Sequence, residues 1–77
     1  MSEALSMWTV YDRPVDHPTG IIARRYEVTG AGAVPMPDCI TGPTLEAVRE
    51  HLIHHAGMSV PLPRDPNDHP SVVETWI

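Results

Sequence analysis

Apolar residues recur at helical spacing through residues 43–56, PTLEAVREHLIHHA. With positions about 100° apart, Leu45, Val48, Leu52 and Ala56 fall in one sector, Arg49 and His55 lie at its margins, and Glu46, Glu50 and His54 point away. The pattern predicts one helix with an apolar stripe laid on a sheet. Gly42 is the expected N-cap and Pro43 the first helical residue, where its missing N–H costs nothing. Glu46 in the first turn suits the helix dipole, and Gly57 offers the left-handed residue that commonly closes a helix.

The remaining apolar runs are short and extended. Residues 7–12, MWTVYD, read as a first strand with Trp8 and Val10 on one face and Met7, Thr9 and Tyr11 on the other. Residues 21–29, IIARRYEVT, read as a second strand, antiparallel to the first across the turn-rich RPVDHPTG. Ile22, Arg24, Tyr26 and Val28 form the more apolar of its two faces and are assigned to the helix-covered side. Residues 36–41 form a short third strand, which Pro35 and Pro37 confine to an edge. MSVPLPR is a covering segment or a further edge strand, and residues 71–77, SVVETWI, free of proline, suit a central position. The expected fold is a two-layer α+β domain in the order β-β-β-α-β, with a mainly antiparallel sheet of three or four strands and one helix. Residues 1–6 are expected as a flexible extension and residues 7–77 as a single domain.

Composition sharpens this picture. Ten carboxylates stand against five arginines and no lysine, a net charge of −5 on 77 residues. Such a body repels nucleic acid, whose binders need basic stripes to displace counterions. It suits a protein partner with a basic surface, although solubility alone also accounts for the acidity. One cysteine, Cys39, excludes an internal disulfide framework; it reads as a partly buried apolar residue or as a cross-link between two copies. No apolar run approaches the roughly 18 residues a membrane span needs, and no basic segment precedes an apolar one, so a cytoplasmic location is expected.

Candidate chemistry is sparse. His51 and His55 have the i,i+4 spacing of a two-ligand helical metal site, but Leu52 stands where an HExxH motif needs Glu, and a third ligand would have to come from His17, His69 or a loop carboxylate. Histidines flanking an apolar stripe are more often plain surface residues. No nucleophile motif surrounds Cys39, and no phosphate loop includes Gly30 and Gly32, so neither an enzyme nor a cofactor is expected. Interface hot spots favour Trp, Tyr and Arg. Arg25, beside Tyr26 and Trp76, is therefore a candidate anchor, with Trp8 and Trp76 packed together on the outer face of the sheet. Plain cross-strand pairing of Arg24 or Arg25 with Glu74 or Glu27 is the simpler reading. Asp12, Asp16, Asp65 and Asp68 lie in two loops that strand pairing can bring to one end, where they would form a negative rim facing a basic groove; turn formation explains the same residues. Glu74 is a further candidate for partner contact.

The frame MWTVYDRP…ARRYEV…TLEAVREHL…LPRDPNDHPSVVETWI resembles a family of small uncharacterised proteins of bacteria and their phages, over nearly the whole chain from Met7 onward. Proteins of this size, acidity and setting look like anti-CRISPR inhibitors, those of type I systems included. The resemblance implies a non-enzymatic inhibitor that blocks the nucleic-acid-binding surface of a host effector complex, and it assigns no role to individual residues. A small homodimeric accessory protein and a histidine-based metal binder are the alternatives.

Overall fold

The computed structural model describes residues 5–16 and 18–77. Five strands, Leu5–Asp12 (β1), Ile21–Thr29 (β2), Gly32–Gly42 (β3), Pro61–Pro63 (β4) and Val72–Trp76 (β5), form one antiparallel sheet in the order β3-β2-β1-β5-β4. A helix, Leu45–His54 (α1), connects β3 to β4. The α+β class is as expected, but there are five strands because the proline-bounded residues 61–63 pair with β5 as an edge. β5 lies between β1 and β4, the inner position its unbroken β character calls for.

Three boundaries differ from the expectation. Leu5 and Ser6 already pair with Val28 and Glu27, so the strand begins inside the segment read as a flexible extension; the rest of that segment lies outside the described residues. β3 is far longer than residues 36–41. It tolerates its prolines because it is an edge and because the register shifts between Arg24 and Tyr26, leaving residues 36–38 opposite Arg25 alone. The helix starts at Leu45, with Thr44 as N-cap in place of Gly42. The Thr44 hydroxyl accepts a hydrogen bond from the Ala47 N–H at 3.2 Å, which a glycine cannot provide. Gly42 serves close approach instead: a Cβ there would meet Val48 Cγ2 at 3.1 Å. The C-terminal expectation holds. Gly57 has φ +70°, and the Met58 N–H reaches back to the Leu52 carbonyl at 2.9 Å, satisfying an end carbonyl and driving Met58 into the core.

The apolar stripe packs as its spacing requires. Val48 and Leu52 are fully buried against Trp8, Val10, Ile21, Ala23, Ile40, Met58 and Trp76, with Leu45 and Ala56 closing the sides. Full burial of each such aliphatic side chain contributes about 1.5–3 kcal/mol.

Cross-strand partners share a face, so register settles which face α1 covers. Glu74–Val10–Ala23–Ile40 forms one row on the helix side and Trp76–Trp8–Arg25 the next. This reverses the assignment of β2: Ile21 and Ala23 lie under the helix, and Ile22, Arg24, Tyr26 and Val28 face away from it. The small Ala23 side chain leaves room where Val48 and Leu52 press on the sheet, and that fit outweighs the larger apolar content of the other face. It also corrects the placement of the tryptophans. Trp8 and Trp76 are directly paired, but on the helix side and buried, so they form core and not an outer patch.

Candidate functional site

With α1 on one face, no helix among the described residues covers the other face of the sheet. Two rows across it are Met7–Tyr26–Pro35 and Thr75–Thr9–Arg24–Cys39, followed by Tyr11–Ile22–Thr41. Tyr11 and Tyr26 therefore stand two rows apart, about 13 Å along the strands. Their phenol oxygens nevertheless meet at 3.0 Å. Each ring must lean toward the other across the Thr9–Arg24 row, which explains why Thr9 is only 8% exposed on a face that no helix covers. The result is a tyrosine pair laid along the sheet, tip to tip. Burial, followed by the hydrogen bond to Tyr26, pushes the Tyr11 phenol well above the usual tyrosine range, so Tyr11 stays protonated at any physiological pH.

The two proline-rich loops frame one end of this face. The Asp12 N–H bonds the Ser71 carbonyl at 2.7 Å, and the Arg13 N–H bonds the Gly20 carbonyl at 2.9 Å, drawing residues 13–20 and 64–71 together. Between them opens a cleft of about 450 Å³ lined by Tyr11, Pro14, Asp16, Arg24, Tyr26 and His69. Val15 on its wall is 92% exposed. Arg24 reaches along the cleft to the Asp16 carboxylate. The acidic turn residues do gather at this end. Asp65 and Asp68 also build their own turn: the Asp65 carboxylate accepts the Asn67 N–H at 2.8 Å and that of Asp68 accepts the Asp65 N–H at 3.0 Å.

The other three residues singled out from the sequence lie on the helix side. Arg25 is held by Asp38 at 3.1 Å, Glu27 at 3.2 Å and the Ser6 hydroxyl at 3.3 Å, so its guanidinium is engaged within the chain. Glu74 and Trp76 are buried and present no surface to a partner. Glu74 pairs with neither Arg24 nor Arg25 but with Arg49 of the helix, whose Nε and Nη2 donate to its two oxygens at 3.0 and 2.6 Å; Trp76 Nε1 donates at 2.6 Å. The Arg49 bond outweighs desolvation and, with Trp76, holds the Glu74 carboxyl below the usual range.

A second cleft, of about 530 Å³, lies on the helix side between Trp8, Arg25, Asp38, Cys39, His51 and His55. The His51 and His55 rings are 4.6 Å apart and tilted. Among the described residues no three His, Cys, Asp or Glu side chains are grouped to hold a metal ion, and His17 lies outside them. Cys39 is exposed, because its edge strand has no neighbour beyond it, and is not the partly buried residue expected. No described helix is long and apolar enough to cross a membrane.

The arginines give the surface its sign. Arg13 pairs with Asp12, Arg24 with Asp16, Arg25 with Glu27 and Asp38, and Arg49 with Glu74, while Arg64 donates to the Asp68 carbonyl at 3.1 Å. Every arginine is thus engaged within the chain. Glu46, Glu50, Asp65 and Asp68 have no ion-pair partner among the described residues. Fold and surface define a small α+β domain with an open, tyrosine-bearing sheet face and an uncompensated negative charge. Comparison with protein families, with characterised proteins and with solved structures gives no match.

Proposed function

We propose that this protein is a non-enzymatic, acidic protein-binding module that docks on a basic surface of a partner. The observation that carries this reading is that four of the five arginines are ion-paired within the chain and the fifth, Arg64, is held by a backbone carbonyl, so that the four carboxylates without an ion-pair partner among the described residues outnumber the one such cation. A rigid body of net charge −5 competes with phosphate for arginines and lysines. Together with the resemblance to phage-encoded inhibitors, this supports a concrete form: an anti-CRISPR-like protein that covers the nucleic-acid-binding surface of a host effector complex by steric and electrostatic competition. The chain needs no cofactor for this and does not itself bind nucleic acid.

The test is displacement. Labelled target DNA bound to a purified type I CRISPR effector complex should lose anisotropy as the protein is added, and the midpoint should rise steeply between 50 and 200 mM salt, roughly as expected when several charge pairs form. DNA binding that is unchanged at saturating protein refutes the inhibitory form.

A further inference from the structure

On that reading, the charge alone does not say which face of the molecule meets the partner. Four surfaces compete. The sheet edges are poor templates: β4 is Pro61–Pro63, and β3 carries Pro35, Pro37 and a register shift. A second copy of the chain would bring −5 against −5. The outer side of α1 offers Glu46 and Glu50 with no aromatic side chain other than its histidines. The open sheet face has aromatic rings, a cleft and an acidic border together.

We propose that the Tyr11–Tyr26 pair is an arginine-reading platform, on which a guanidinium of a protein partner stacks while Asp16 and Asp68 flank it. The rings lie along the sheet because their hydroxyls meet tip to tip at 3.0 Å, and both tyrosines are only half-buried and line the cleft, which gives a ligand access to an aromatic face. That face attracts cations, and a planar guanidinium stacks on it better than an ammonium does. The cleft already accommodates a guanidinium of the chain itself: Arg24 lies between the two rings' rows and bonds Asp16 through a single Nη2, leaving the other oxygen of a carboxylate that is 64% exposed. Asp68, unpaired, is near enough to act on the Tyr11 phenol. Val15 adds an apolar contact at the rim. An aromatic platform can also stack nucleobases, but such sites need a basic groove along the backbone, and the arginine that lines this cleft, Arg24, is paired with Asp16.

The intact protein, isotope-labelled, is titrated by NMR at fixed ionic strength with an arginine–glycine peptide, its lysine–glycine counterpart and an oligothymidylate. The arginine peptide should move the Tyr11 and Tyr26 ring signals and the amides of residues 9–12 and 22–26, and bind about two- to five-fold tighter than the lysine peptide. Tyr26→Leu should abolish that preference, while Tyr26→Phe, which keeps the ring but removes the hydroxyl bond that lays it along the sheet, should retain part of it. Asp65→Asn/Asp68→Asn, a surface change outside the sheet, should weaken both peptides alike, so a folding defect in Tyr26→Leu does not decide the matter. Equal binding of the two peptides overturns the platform. Shifts confined to the helix around Glu46 and Glu50 overturn it too but leave acidic docking intact. Oligothymidylate binding at the tyrosines, or no binding of either peptide, overturns both.

Discussion

Replacing Arg49 by Met keeps the aliphatic stem of the side chain and removes the guanidinium from Glu74. The carboxylate left behind is 6% exposed and retains one donor, Trp76 Nε1 at 2.6 Å. Breaking a buried ion pair from one side costs about 3–5 kcal/mol. Arg49 is itself 43% exposed, so water enters where the guanidinium was and lowers the cost to about 2–3 kcal/mol. A chain of this length has a total stability of about 4–11 kcal/mol, so the loss is large but survivable. Urea unfolding followed by the fluorescence of Trp8 and Trp76, both in the core, should show a midpoint about 2–3 M lower, given a slope near 1 kcal/mol/M. The pH dependence is more diagnostic. In the native chain the Glu74 carboxyl is held below its ordinary value of 4.5, so its contribution is fully present above that pH and is lost as pH falls through the lower folded value. Without Arg49, desolvation outweighs the Trp76 bond and the folded value rises above 4.5, so the variant is penalised most at neutral pH and recovers as the carboxyl is protonated. The gap between the two proteins should therefore narrow from pH 7 to pH 4. A gap that stays constant over that range, or one below about 0.5 kcal/mol at pH 7, refutes the picture of a carboxylate that depends on Arg49.

Further tests bear on the fold. Leu52→Ala empties a fully buried site and should cost about 2–5 kcal/mol by urea unfolding, whereas Ile53→Ala, 46% exposed on the next position, should cost well under half of that. Thr44→Ala removes the hydroxyl that caps Ala47 and should cost about 1 kcal/mol, while the same measurement on Pro43→Ala should show little change if the cap sits at Thr44. Gly57→Ala forces a Cβ into φ +70°, where no neighbouring atom crowds it, so its cost of about 1 kcal/mol should be purely conformational and Gly57→Asn should recover part of it.

Much of this fold was legible because two periodic signals are strong. The helical stripe through Val48 and Leu52 and the proline-free β5 each appear where their patterns place them. The helix starts later than expected because Gly-Pro is a frequent entry signal, while the hydroxyl of Thr44, one residue on, is the stronger capping group. The face of β2 departs from the expectation for a different reason. Counting apolar residues favours Ile22, Tyr26 and Val28, yet a helix must approach closely at one point, and only Ala23 is small enough to permit it. Arg25 is tolerated on the same face because it reaches Asp38 and Glu27 across the shifted part of β3. Steric fit and ion pairing are pairwise properties, and alternation along one strand does not contain them.

The same limit hides the tyrosine pair from the sequence. Tyr11 and Tyr26 are separated by fifteen positions, and neither ring is remarkable alone. Only the β1–β2 register, Tyr11 against Ile22 and Met7 against Tyr26, puts them two rows apart, the distance two phenols span when they meet at their hydroxyls. The register is set by the eight residues between the strands, whose Arg13–Gly20 bond fixes the hairpin at its closed end. A shift of two residues would preserve every inward and outward alternation of β2 but bring the tyrosines into adjacent rows or carry them three rows apart, out of reach of each other. The loop thus does two things at once: it sets the spacing of the platform, and through Asp16 it ties down the one arginine that would otherwise make the open face positive. Removing that tie with Asp16→Asn should leave the sheet folded but free Arg24 beside the tyrosines, weakening an arginine-bearing partner more than a single lost charge accounts for, because an unpaired cation then occupies the platform.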